Sequence, residues 1–201
     1  MQMASAGMNW ELIIAGLAVG SIIGIIMAVK VEMTGMPELV ALFNGFGGAA
    51  SALVALSETW KYIEDTTLTL PTGLGLQVVV VAAGLSALVG WMTLTGSILA
   101  MFKLKGGVEI FGKWFSTPTW GPAWLNPVKV LLTVSVLALI VMSIDDPTNT
   151  DYLWAIIGIS CLLGIVLVLP IGGADMPVVV SLLNSLSGIA AAFTGFIISN
   201  P

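Results

Sequence analysis

Long apolar runs alternate with short polar connectors along this chain. Six runs approach the ~20 residues that a helix needs to cross the hydrocarbon core of a bilayer. The runs are continuously apolar and do not alternate as the strands of a membrane barrel would. Because backbone groups in lipid must bond within the protein, the sequence predicts an all-α polytopic membrane helix bundle, forming one domain over residues 1–201. The predicted spans are residues 10–29, 36–57, 74–101, 128–144, 152–171 and 176–198.

Composition supports this prediction. The chain is 58% hydrophobic and 8% charged, whereas a soluble domain carries roughly 25% charged residues. We therefore expect membrane lipid around the chain, and nucleic-acid binding is excluded for want of a basic patch. The sequence has no histidine, and its acidic residues are too scattered to suggest a metal site, a catalytic triad or a phosphate-binding loop. We predict neither catalytic nor metal-binding residues.

The connectors predict an orientation. The connectors after helices one, three and five lie on one side of the membrane. On the other side the only lysine is Lys61, which lies among several acidic residues. Lysine-rich loops stay in the cytoplasm. We therefore expect the side with five lysines to be cytoplasmic and both termini to be periplasmic. These lysines are Lys30, Lys103, Lys105, Lys113 and Lys129.

A shift of 140 residues places helices one and two on helices five and six. Residues 36–52 and 176–192 share Met-Pro at their start and an asparagine eight residues after that methionine, Asn44 and Asn184. In both units the chain crosses the membrane in the same directions. We predict a parallel repeat of two helix hairpins.

Residues 45–50 contain G-x-G-x-x-A, a loose form of the fingerprint that binds a dinucleotide pyrophosphate. The fingerprint requires a preceding strand, and here it lies inside a predicted membrane helix. We therefore predict that these glycines let helices pack closely.

Polar groups at membrane depth are the candidate functional residues. Asn44 and Asn184 either join helices by hydrogen bonds or line a hydrated path, and the residues alone leave both alternatives open. Hydroxyl groups near them could instead bond to their own helices. Glu38 and Asp175 precede the two asparagines and could serve only the helix starts. The candidate pathway residues are Asn44, Asn184, Glu38, Asp175, Ser181, Ser185, Thr93 and Thr95.

Two segments, residues 31–55 and 170–196, together with the block GGADMPVVVSLLNS and the segment TLTGSILAMFKL, resemble the membrane domain of the β subunit of proton-translocating NAD(P) transhydrogenase. The resemblance covers essentially the whole chain. It implies a multi-pass protein of the bacterial inner membrane that conducts protons while soluble domains transfer hydride between NADH and NADP. It also implies that this chain binds no cofactor itself, and that NAD(H) and NADP(H) belong to the full complex.

The resemblance further implies an α-type subunit, an NADP(H)-binding domain and a second protomer as partners. Family members usually have two more helices first, then a last helix and a soluble NADP(H)-binding domain. This chain has neither, so we expect a fragment or a split subunit. Some branches carry a proton-relaying histidine at the position of Asn44. The alternative functions are a secondary transporter or channel subunit for a small solute, and a purely structural membrane anchor.

Overall fold

A computed structural model of the chain describes residues 9–64, 75–110, 113–117 and 119–198. Within these ranges, six helices are long and apolar enough to cross a membrane, which confirms the predicted helix bundle. The helices are α1 (Trp10–Lys30), α2 (Met36–Glu64), α3 (Leu76–Leu104), α4 (Leu125–Asp145), α5 (Thr150–Val168) and α6 (Met176–Ile197).

Helix α3 is the centre of the bundle. It packs against α2, α4, α5 and α6, while α2 also packs against α6 and α4 against α5. Its small side chains allow this, because Ala83, Ala87 and Ala100 are completely buried. Close approach of helices through small residues is the usual basis of packing in lipid, where hydrophobicity gives no force between helices.

The glycines of the fingerprint segment lie in the contact between α2 and α3. A β-carbon on Gly45 would lie 2.9 Å from the Ser97 Cβ, and one on Gly48 would lie 3.0 Å from the Gly90 carbonyl oxygen. The two backbones therefore touch at these positions. This arrangement agrees with the packing role predicted for Gly45 and Gly48, whereas Gly47 has open space beside it.

Connectors one, three and five meet at one end of the bundle. Lys105 pairs with Glu38 across 3.7 Å, and the Trp120 amide donates to the Leu169 carbonyl across 3.4 Å. The two predicted repeat units have the same local structure there. In each unit a single 3-10 turn leads directly into the second helix. Met33–Gly35 leads into α2, and Gly173–Asp175 leads into α6.

Two boundary features differ from the expectation. Helix α2 continues to Glu64, two turns beyond residue 57, because Lys61 pairs with Glu58 on the same face and the Trp60 indole donates to Glu64. Connector three contains a β-hairpin in which β1 (Val108–Ile110) pairs antiparallel with β2 (Lys113–Phe115). The remainder of connector two, residues 65–74, lies outside the described residues.

Helix α1 stands apart from the packed helices. None of its side chains is buried within the described part of the chain. Its last turns approach the start of α2, where Met27 and Leu39 line an open groove of about 250 Å³. The folded core thus consists of α2 to α6, with α1 beside it.

Candidate functional site

Asn44 lies at the contact between α2 and α6. Its side chain is buried, and its amide nitrogen donates to the Val180 carbonyl oxygen of α6 across 3.2 Å. Val180 is four residues before Asn184, so the bond lies about 6 Å, roughly one helical turn, from the level of Asn184. The hydrogen bond joins the two predicted repeat units, and among the described residues no group donates to the Asn44 side-chain oxygen.

Asn184 does not face Asn44. It points out of the bundle, and Ser181, Ser185 and Gly188 on the same side of α6 are also exposed. At 100° per residue, the four positions fall within an arc of about 100°. We call them the α6 polar stripe. Polar groups at this depth are costly to leave in lipid, so the stripe is suited to a face that another helix or water covers.

A second set of polar side chains is buried between α2, α3 and α6. Thr93 is fully buried and donates to the Val89 carbonyl of its own helix. Ser97 is fully buried beside Gly45, and its hydroxyl has no hydrogen-bond partner within the described residues. A buried hydroxyl without a partner costs about 1–3 kcal/mol of folding stability. Ser97 is therefore a position where a further hydrogen-bonding group could be accommodated at a gain in stability.

The buried set continues toward the opposite end of the bundle. Ser86 of α3 and Thr194 of α6 are 2.9 Å apart, and Thr194 can also donate to the Ser51 carbonyl of α2 across 2.9 Å. Sequence reasoning missed Ser86 and Thr194. A hydroxyl in an apolar run usually bonds to its own helix, and no spacing pattern in the sequence distinguishes these two from the others.

Thr95 lies on a different side of α3. Its hydroxyl donates to the Cys161 carbonyl of α5 across 2.9 Å, so it joins α3 to α5. Six of the eight predicted residues are therefore divided among three places. Asn44 and Thr93 are inside the α2–α3–α6 contact, the α6 polar stripe is outside it, and Thr95 faces α5.

The two predicted acidic residues lie at the connector end. Glu38 is in the first turn of α2 and pairs with Lys105, whose side chain is 49% exposed. Asp175 immediately precedes α6 and is exposed, but its side chain makes no capping hydrogen bond. Its carboxylate is therefore available at the surface next to the start of α6.

Lys103 is a buried cation that the sequence reasoning treated only as an orientation signal. Its ammonium group donates to the Leu169 and Ile171 carbonyl oxygens just beyond the end of α5, the latter across 2.7 Å. Only 5% of the residue is exposed. The carbonyls at a helix C-terminus carry partial negative charge and lack partners within the helix, so Lys103 fixes the end of α5 to α3.

The glycine segment of α2 that resembles a dinucleotide fingerprint is closed by a neighbouring helix. The space beside Gly45 and Gly48 is filled by α3, so no pyrophosphate can approach their backbone amides. The described residues also contain no group of three acidic, cysteine or histidine side chains placed to hold a metal ion.

Together, these features define a polytopic helical membrane protein with polar side chains both inside the bundle and on one outer face. A model of the NAD(P) transhydrogenase beta subunit family matches residues 1–201. The chain belongs to that family.

Curated relatives agree with this assignment. Two proteins named NAD(P) transhydrogenase subunit beta, both from Rhodospirillum rubrum and one from a named strain, are 36% identical to the chain over 192 residues. The match covers 94% of this chain and 39% of each relative. The chain thus spans about two fifths of the length of these relatives.

Proposed function

We propose that the chain is the proton-conducting membrane part of an NAD(P) transhydrogenase, in which proton movement is coupled to hydride transfer between NADH and NADP on soluble domains. The observation that carries the proposal is the α6 polar stripe, an exposed row of polar and small residues on a membrane helix. Membership of the transhydrogenase β subunit family supports the same reading.

The stripe forms one wall of the proposed path, with Glu38 and Asp175 at its connector end, and Asn44 supports this wall from the α2–α6 contact behind it. Amides and hydroxyls both donate and accept hydrogen bonds, so they can hold a chain of water molecules. The opposite wall is a helix from outside residues 9–198. Since the sequence has no histidine, we propose that water or a titratable group of that helix carries the proton.

The proposal places the chain in a bacterial inner membrane. The lysine-rich connectors face the cytoplasm, and both termini are periplasmic. The partners are an α-type subunit, an NADP(H)-binding domain and a second protomer. NAD(H) and NADP(H) bind to the complex away from this chain. This agrees with the α2 glycine segment, where α3 fills the space beside Gly45 and Gly48.

Asn184→Leu in the assembled complex tests the role of the stripe. Leucine is similar in size and removes every polar group, and the position is exposed in the described chain, so the bundle should fold normally. We expect coupled hydride transfer in sealed vesicles to fall about tenfold or more, equivalent to ~1.4 kcal/mol in the barrier. Nucleotide binding to the soluble domains should not change.

Thr133→Val is the matched control. The Thr133 hydroxyl on α4 donates only to the Lys129 carbonyl of its own helix among the described residues, across 2.9 Å. This change removes a polar group from a membrane helix at a distance from the stripe, so turnover should persist. Wild-type coupled turnover in the Asn184→Leu complex would contradict the proposed path.

A further inference from the structure

Lys103 is a buried cation that the proposed path does not use. It lies in the last turn of α3 and is only 5% exposed. Its ammonium group donates to the Leu169 and Ile171 carbonyl oxygens. Both acceptors belong to connector five, residues 169–175, which joins α5 to α6. A buried charge is costly unless it is hydrogen-bonded, so the burial of Lys103 depends on its contact with this connector.

Electrostatics favours the same arrangement. Helix α3 ends at Leu104 and α5 ends at Val168, and Lys103 donates to carbonyls just beyond the second of these ends. A helix C-terminus carries a partial negative charge, so a cation placed there is stabilising. The ammonium group therefore interacts favourably with the ends of both helices.

The same connector is held at further points. The Lys103 carbonyl oxygen lies so close to Gly173 that a β-carbon on this glycine would be 3.1 Å from it. Connector three supplies another contact, since a β-carbon on Gly121 would be 2.6 Å from the Pro170 Cβ. Connector five thus packs against both the end of α3 and connector three.

Asp175 is the last residue of this held segment. Its backbone amide donates to the Gly172 carbonyl across 3.1 Å, and α6 begins at the next residue. Its side chain is exposed and makes no capping hydrogen bond to α6. Connector five therefore fixes the backbone of Asp175 and leaves its carboxylate available at the connector end of the bundle.

Connector one has a similar turn without this attachment. Its 3-10 turn is Met33–Gly35, and among the described residues no lysine of α3 donates to its backbone. Lys105 instead pairs with Glu38 in the first turn of α2. Residues two apart on a helix point about 200° apart, so Lys103 and Lys105 extend to opposite sides of α3. Only the second predicted repeat unit is held to α3 by a buried lysine.

We infer that Lys103 is a positioning residue for the proposed proton path. By holding connector five against α3, it fixes the place of the Asp175 carboxylate at the start of α6. The hydrogen bonds of Lys103 go to backbone carbonyls, so it acts on Asp175 through the connector and not as an ion pair. This role rests on the proposed function, which places Asp175 at the connector end of the path.

A double-mutant cycle in the intact complex tests whether Lys103 acts through Asp175. Lys103→Met removes the ammonium group, and Asp175→Asn removes the carboxylate charge at nearly constant size. We expect Lys103→Met alone to lower the kcat of coupled hydride transfer in sealed vesicles about tenfold, equivalent to ~1.4 kcal/mol in the barrier. The KM for the nucleotides should not change. In the Asp175→Asn background the same change should lower kcat less than about twofold, because residues that act through one another are not additive.

Gly84→Ala separates positioning from a loss of stability. A β-carbon on Gly84 of α3 would lie 2.8 Å from the Ile140 Cγ1 of α4, so this variant destabilises the bundle at a distance from connector five. Whatever its effect on kcat, that effect should be the same with and without the Asp175 carboxylate. Lys103→Met would behave in the same way if it only destabilised the bundle, and equal effects of Lys103→Met in the two backgrounds would overturn the inference.

Hydrogen exchange tests the structural step without a turnover measurement. In the intact complex, Lys103→Met should speed amide exchange in residues 171–175 about tenfold or more, because local opening of connector five becomes easier. Exchange in Met33–Gly35 should not change. Unaltered exchange in residues 171–175 would also overturn the inference.

The Asn184→Leu experiment distinguishes failure of this inference from failure of the proposed function. If Asn184→Leu lowers coupled turnover and Lys103→Met has equal effects in the two Asp175 backgrounds, the path stands and the positioning role is wrong. If Asn184→Leu retains wild-type turnover, the path and the positioning role are both wrong.

Discussion

Gly90 determines how closely α2 and α3 approach one another. A β-carbon there would collide with the Gly48 carbonyl oxygen and lie 2.8 Å from the Ala52 Cβ. Both neighbours belong to the facing helix, and one of them is backbone, so the contact cannot adjust by rotating a side chain. Gly90 is therefore a sensitive point in the α2–α3 contact.

We predict that Gly90→Ala lowers the free energy of unfolding by about 1–3 kcal/mol, the usual cost of overpacking. Gly158→Ala is the control, since a β-carbon there meets nothing within 4 Å and alanine favours a helix by up to about 1 kcal/mol. Unfolding in mixed micelles would measure both changes. Equal effects at the two positions would contradict this view of the contact.

Lys103 and Lys105 offer a second comparison between single residues. Lys103→Met removes a buried ammonium that donates to two carbonyls, so we expect the free energy of unfolding to fall by about 1–3 kcal/mol. Lys105→Met removes a half-exposed ion pair, which should cost at most about 1 kcal/mol. The same micelle assay compares them, and a larger loss in Lys105→Met would contradict the assignment.

The sequence placed Asn44 and Asn184 at equivalent depths but could not predict which way each would face. In a soluble helix the apolar side identifies the core. In a membrane helix both sides are apolar, so hydrophobicity indicates depth and leaves the direction undetermined. Asn44 bonds to α6 and Asn184 points outward, a difference that only the packing of neighbouring helices decides.

At the scale of the elements, apolar runs predicted most boundaries well. Helix α6 was expected over residues 176–198 and spans Met176–Ile197. The error in α2 came from reading Glu58 and Lys61 as connector residues, although charges three apart also stabilise a helix. The β-hairpin has strands of only three residues, too short to produce an alternating pattern.

The starts of α1 and α5 differ in one hydrogen bond. Asn149 precedes α5 and its side-chain oxygen accepts from the Asp151 amide across 3.0 Å, whereas Asn9 precedes α1 without such a bond. We predict that Asn149→Ala costs about 1 kcal/mol and speeds hydrogen exchange at the Asp151 amide. Asn9→Ala should leave exchange in the first turn of α1 unchanged, and a similar acceleration there would contradict the difference.

For the whole molecule, the end of the bundle where connectors one, three and five meet carries most of the lysines. We predict that this end is cytoplasmic. In a Cys161→Ala background, Asp146→Cys at the opposite end should react with an impermeant thiol reagent added to intact cells. Ala174→Cys should react only after permeabilisation. Both sites are exposed, so access to the reagent is set by the membrane, and the reverse pattern would refute the orientation.

The hydrogen bond from Asn44 to Val180 joins residues 136 positions apart, and this separation has a consequence during biosynthesis. At about 5–20 residues per second, roughly 7–27 s pass between synthesis of the donor and synthesis of its acceptor. Helix α2 must therefore exist before its partner is made, with a polar amide that lipid cannot satisfy. Until α6 arrives, that amide has to remain hydrated or bond to a temporary partner. The contact between α2 and α6 thus forms only after the intervening helices α3 to α5 have been made.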